Sequence, residues 1–271
     1  MAATVATFIV TITLLLAAPL THQHEVLPFG YSGSIGPDKW GSLNPYFSAC
    51  DTGKLQSPVN IVKENMVENL KLPPLTNDYR KSNSTLINYG FNIGMQYESN
   101  AGVLIQDGKN YTLKQMDWHS PSEHTINSVR YPLELQLVHV ADDGKISVVA
   151  ILYNYGYPDP LLFQLTRGIK KLANEICRED EEVHIPVAAM RTKYLRHNSF
   201  KYYRYVGSLT TPPCTENVTW SILGKVRNVA KEQIDALRAP LDGSCKSNAR
   251  HVQPLNGRTI EFYDVSAQSK F

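Results

Sequence analysis

The stretch QMDWHSPSEH, residues 115–124, reads as a strand running into a tight turn. Asp117 and His119 stand two residues apart, so both side chains point to the same face of that strand. An acid and an imidazole on one face of an apolar strand form a wall that can hold a metal, move a proton or pair with a cation. By strand rise their Cα atoms lie about 6–7 Å apart, near enough for the two groups to interact with each other. A buried aspartate facing a pocket must find a proton, a partner or a cation.

The elements that must position this pair are legible nearby. VLIQDGKNYTLKQMDWH folds as two strands around an Asp107-Gly108 turn, and LELQLVHVADDGKISVVAILY repeats the plan around Asp143-Gly144. The second strand of the latter pair is almost wholly apolar, as a strand covered on both faces must be. One clear helix follows, capped by Asp159, with Pro160 in its first turn and Leu161, Leu165, Ile169, Leu172 and Ile176 at three- and four-residue steps. A shorter amphipathic helix covers Ala230–Arg238. Many strands and few helices indicate a mostly β (α+β), sheet-dominated architecture.

The 271-residue chain is 42% hydrophobic, enough for one sizeable domain, and residues 25–271 contain no repeat or linker that would divide it. Its net charge of +2 is scattered, which argues against nucleic acid or an anionic membrane as partner. Residues 1–24 read as a secretory signal, apolar and ending in small residues and a proline, with cleavage between Ala17 and His24. A membrane anchor is the alternative, weakened by Thr4, Thr7, Thr11 and Thr13. Export agrees with three N-x-[ST] glycosylation sequons, at Asn83, Asn110 and Asn217. It agrees also with an even cysteine count, Cys50, Cys177, Cys214 and Cys245, whose spacing leaves all three pairings open. None stands at C-x-x-C spacing, so these cysteines do not suggest a metal site.

Six ordered blocks give the chain a family likeness: GPDKWGSL (36–43), QSPVNI (56–61), HSPSEHT (119–125), LELQLVHV (133–140), YYRYVGSLTTPPCTENVTW (202–220) and NARHVQPLNGR (248–258). With these it resembles the α-class carbonic anhydrases in their plant secreted form. The resemblance implies a central twisted, mainly antiparallel sheet of about ten strands with a conical pocket, and a disulfide between Cys50 and Cys214. A second bridge, Cys177 to Cys245, lies outside the family pattern and is a guess. Working members hold zinc with three histidines, and that three-histidine zinc, which lowers the pKa of bound water, is itself a standard example of the chemistry. Here the ligand positions fall on Asp117, His119 and Gln136.

One imidazole, a short acid and a neutral amide make a poor donor set for a borderline-soft ion, so no zinc or other cofactor is expected. The family's proton-shuttling histidine falls on Phe91, and its Arg-Pro dipeptide on Arg250-His251. Other positions match. Glu123 and Thr210 correspond to the carboxylate–hydroxyl pair that orients the attacking hydroxide. Gln115 matches the polar neighbour of the ligands and Glu134 the carboxylate behind them. Thr211, Leu209, Val138, Val148 and Trp220 match the pocket lining. Support of the fold explains this survival about as well as a working pocket does.

Three functions compete. The first is a repurposed enzyme with His119, Asp117, Thr210 and Glu123 as catalytic groups acting on a small organic substrate, cationic or neutral. Zinc-deficient relatives in plant alkaloid metabolism imply condensation of a cyclic imine or iminium with a β-keto acid-derived nucleophile. The second is a non-catalytic storage protein of the dioscorin type, a group that also lacks the histidine at the position of Gln136. The third, ranked last, is a weak residual carbonic anhydrase. The expected location is the apoplast, or the vacuole for a reserve protein. Homo- or hetero-oligomers with a related chain are left open.

Overall fold

The computed structural model describes residues 29–175, 183–187, 190, 194–195 and 201–265, so the leader, Ile176 and Cys177 lie outside the described residues. Ten strands form the spine of one sheet: β1 (Val67–Glu68), β2 (Ser84–Asn88), β3 (Ile93–Tyr97), β4 (Lys109–His119), β5 (Leu133–Val140), β6 (Ile146–Tyr155), β7 (Val183–Val187), β8 (Lys201–Ser208), β9 (Glu216–Leu223) and β10 (Glu261–Asp264). Their spatial order is β7-β2-β3-β4-β5-β6-β9-β8-β10-β1. Three short strands at the margins, Thr76–Asn77, Val103–Gln106 and Arg227–Val229, bring that sheet to thirteen among the described residues. Most pairings are antiparallel, with β6–β9 and β10–β1 parallel.

Both hairpins form where the turn residues require. Asp107 and Gly108 take φ of 52° and 73°, the two consecutive positive values that a tight turn between twisted strands needs. Gly144, at φ 80°, closes the second turn, and Ala141 N–H donates to Lys145 O at 2.9 Å. The alternation along β5 and β6 divides the core. Leu133, Leu135 and Leu137 with Val149, Ile151 and Tyr153 pack on one face with the helices. Glu134, Gln136 and Val138 point to the other face. On β4 the register to β5 shifts beside Val138, so Leu113 and Met116, three residues apart, both join the helix-covered core.

The long helix runs Pro160–Asn174, with Asp159 Oδ1 accepting from the N–H groups of Leu161 and Leu162 at 2.9 and 3.0 Å. Its buried stripe is Leu161, Leu162, Leu165, Ile169 and Leu172. The second helix, Lys231–Arg238, is tied to it by Gln233. That side chain accepts from Asp159 N–H at 2.7 Å and donates to Asp159 O at 2.9 Å.

Cys50 and Cys214 are bonded, with 5.0 Å between their Cα atoms and 164 residues between them in sequence. Cys245 is a buried free thiol, and Cys177, the partner guessed for it, lies outside the described residues. Asn83, Asn110 and Asn217 are all exposed. No helix among the described residues is long and apolar enough to cross a membrane.

The bridge pins the Leu209–Cys214 segment to the N-terminal part of the domain. Chain entropy over that span gives an upper bound of about 5 kcal/mol for its contribution. The Cys50→Ser/Cys214→Ser protein is expected to lose about 3–5 kcal/mol in urea unfolding, and an unchanged midpoint would remove this role from the bridge.

Candidate functional site

Strand register assembles the wall. Across β3, β4 and β5, Gly94 opposes Asp117, which opposes Gln136; one step along, Gln115 opposes Val138, which opposes Val148, which opposes Trp220. These rows face a cavity of about 220 Å³. The β2–β3 turn adds Tyr89, Phe91 and Asn92, and the segment after β8 adds Leu209, Thr210 and Thr211. Gln115, Asp117, His119, Gln136, Val138, Val148, Leu209, Thr210, Thr211, Trp220 and Phe91 therefore share one concave surface. Glu123 does not line it; this fully buried carboxylate lies behind the floor. Tyr89 and Asn92 were not anticipated.

Asp117 and His119 are held separately. Asp117 Oδ1 accepts from Asn92 Nδ2 at 3.1 Å and Gln115 Nε2 at 2.8 Å, and Oδ2 from Gln115 Nε2 at 2.9 Å. Two amides thus partner the acid, so it has no need of a cationic ligand for that purpose. Burial pushes the Asp117 carboxyl above its usual range, against the Gln115 and Asn92 hydrogen bonds and the nearby His119. His119 Nδ1 donates to Asn248 O at 2.7 Å, which fixes the tautomer and leaves Nε2 as the atom free for the cavity. Burial pushes the His119 pKa down, but Glu123, the Asn248 carbonyl, Asp117 and Glu134 together outweigh it, and the net shift is upward. Asn248 left no mark in the sequence, because its contribution is a backbone carbonyl.

Gln136 departs most from the expected arrangement. Its Nε2 donates to Glu123 Oε2 at 2.8 Å and to Glu134 Oε1 at 3.0 Å, so both N–H bonds of one amide bridge two buried carboxylates. Glu123 Oε1 accepts from Arg250 N–H at 2.9 Å. Thr210 makes no hydrogen bond to Glu123, contrary to the carboxylate–hydroxyl pair that the resemblance implied. Glu123 Oε2 accepts from the Gln136 amide instead. Glu134 is satisfied further by His124 Nδ1 at 2.8 Å and by the N–H groups of Glu123 and His124 at 2.9 and 2.8 Å.

Residues 35–264 match the family described as eukaryotic-type carbonic anhydrase. The chain belongs to the carbonic anhydrase family. Alpha carbonic anhydrase 7 of Arabidopsis thaliana is 42% identical over 228 residues, covering 84% of this chain and 81% of the relative. Dioscorin DB3L of Dioscorea polystachya is 38% identical over 228 residues, covering 84% and 82% respectively. A solved structure of dioscorin complexed with ascorbate superposes with a TM-score of 0.82 at 35% identity, covering 88% of this chain and 98% of that one.

As a carbonic anhydrase-family site, the pocket does not fit zinc. Among the described residues no three His, Cys, Asp or Glu side chains converge to hold a metal ion. His119 alone offers an imidazole lone pair. Gln136 has turned its N–H groups inward and can offer only a neutral carbonyl oxygen, and both Asp117 oxygens already accept hydrogen bonds. The groups behind the former ligand positions survive: Gln115 on Asp117, Asn248 O on His119 and Glu134 on Gln136.

Glu134 supplies a pH test. Burial pushes its pKa up, but the charge and hydrogen bonds of His124 outweigh that and bring it to about 2, from an ordinary 4.5. A carboxyl depressed on folding stabilises the fold above its unfolded pKa, and that contribution fades as pH falls from about 4.5 towards 2. Glu134→Gln is expected to lose about 2–3 kcal/mol at neutral pH, with a gap to wild type that narrows below pH ~4 in urea titrations. A gap independent of pH would remove the buried anion from the account.

Proposed function

We propose that this protein is a zinc-independent member of the carbonic anhydrase family that does not hydrate carbon dioxide. On this reading it serves as a non-catalytic, dioscorin-like storage protein, which the likeness to dioscorins supports. The single observation that supports it is the inward turn of the Gln136 amide onto Glu123 and Glu134, which takes away both the third metal ligand and the carboxylate partner of Thr210. The dioscorin captured with ascorbate suggests a small, oxygen-rich organic ligand for the cavity. Export to the apoplast or vacuole, with glycans on Asn83, Asn110 and Asn217, belongs to the same reading and is supported by the bridge and the exposed sequons.

A second reading rests on His119. Its Nε2 faces the cavity as a proton acceptor, beside Asp117 and the Thr210 hydroxyl. A general base so placed could deprotonate a β-keto acid-derived nucleophile for addition to a cyclic imine, with Thr210 orienting a carbonyl. The raised Asp117 pKa and its two amide partners weaken the iminium-stabilising role of that acid.

The test begins with metal analysis and a carbon dioxide hydration assay on protein exposed to zinc and then dialysed. Wild type is expected to retain no stoichiometric zinc and to hydrate carbon dioxide at the background rate. Asp117→His/Gln136→His restores three imidazoles in front of surviving partners and is expected to hold about one zinc per chain. Tightly held zinc with fast hydration in wild type would sink the proposal. Turnover of a cyclic imine with a β-keto acid, falling about 10²-fold or more in His119→Ala, would favour the second reading.

A further inference from the structure

The geometry points to Gln136 as the residue that reverses the hydrogen-bond polarity of Thr210, so that the cavity recognises an sp² oxygen, carboxylate or carbonyl, at the Thr210 hydroxyl. This rests on the zinc-independent reading above and names the ligand chemistry of the same pocket.

Glu123 is fully buried, and a carboxylate there must be met by donors. The Arg250 N–H satisfies Oε1 at 2.9 Å and the Gln136 amide satisfies Oε2 at 2.8 Å. In the arrangement that the resemblance implied, the Thr210 hydroxyl would donate to this carboxylate and show the cavity only lone pairs. Such a hydroxyl accepts from protonated ligands and repels oxygen acceptors. In this chain the amide has displaced it, and the Thr210 hydroxyl makes no hydrogen bond within the described protein while lining the cavity. Its proton is uncommitted, so a hydroxyl that was an obligatory acceptor becomes a donor.

The backbone keeps that donor in place. Leu209 N–H bonds Thr215 O and Cys214 N–H bonds Thr211 O, each at 2.9 Å, and Cys214 is bridged to Cys50. Thr210 therefore sits on a clamped segment, as a recognition group should. Around it Asp117 receives Asn92 and Gln115, and His119 Nδ1 is fixed on Asn248 O. His119 Nε2 can accept a proton from an acid or, once protonated, donate to its anion. Val138, Val148, Leu209 and Trp220 supply an apolar wall for the ligand's body. A flat ring or short chain ending in a carbonyl or carboxylate matches this division of the cavity.

Calorimetric titration of the zinc-free, full-length protein with benzoate, benzamide and benzylamine separates the cases. Benzoate or benzamide is expected to bind at one site, and the comparison of those two shows whether the favoured oxygen is charged. Thr210→Val should weaken that binding by about tenfold or more, and Thr210→Ser should keep it within about threefold. Thr210→Val is a mild test of folding, because the lost hydroxyl has no protein partner. Gln136→Leu frees Glu123 to recapture Thr210 and should weaken binding as much as Thr210→Val, with no further loss in the double variant. If Gln136→Leu does not fold, the Thr210→Val and Thr210→Ser pair still decides the donor role. Binding indifferent to Thr210→Val, preference for benzylamine, or no binding of either oxygen probe overturns the inference. A wild-type protein that holds zinc and hydrates carbon dioxide would instead overturn the reading beneath it.

Discussion

Two carboxylates, Glu123 and Glu134, lie wholly out of water beneath the cavity floor, and the site is organised around meeting them with donors. A metal-bound imidazole at position 136 would have a single N–H to offer them. The Gln136 amide has two, and it spends one on each acid. From that bridge follow the loss of a metal ligand and the release of the Thr210 hydroxyl. The bridge also explains why the surrounding framework survives: His124, Arg250 and the backbone N–H groups still have the same two anions to satisfy. Survival of those residues therefore speaks for the fold's need to neutralise buried charge, and by itself says nothing about catalysis.

Much of this arrangement was legible in the sequence. The Asp107-Gly108 and Asp143-Gly144 turns, the Asp159 cap and the alternation along LELQLVHV set the strands and their faces, because each follows from local conformational rules. The i, i+2 spacing placed Asp117 and His119 together on the cavity wall. What escaped the sequence was hydrogen-bond direction. Whether an amide presents N–H or C=O, and which of two donors reaches Glu123, depends on competition among groups from β4, β5 and the 248–250 segment. Asn92 was missed for a similar reason, since it reaches Asp117 only through the pairing of Gly94 with that residue.

The same contrast bears on how a pocket changes function within one fold. Of the three former ligand positions, His119 keeps its partner and geometry, and Asp117 exchanges an imidazole for an acid held by two amides. Gln136 alone rewires the groups beneath. A change at that position alters metal affinity, the availability of a carboxylate and the polarity of a hydroxyl together, without moving the sheet. A scaffold with this property can lose one chemistry and present a differently poled cavity in few steps.

A high-resolution crystal structure of the protein, at a resolution that separates amide nitrogen from oxygen by hydrogen-bond pattern, tests the central bridge directly. It should place Gln136 Nε2 within hydrogen-bonding distance of both Glu123 and Glu134, with the Thr210 hydroxyl off Glu123 and open to the cavity. A Thr210 hydroxyl seated on Glu123, with the Gln136 carbonyl turned towards Asp117 and His119, would contradict it.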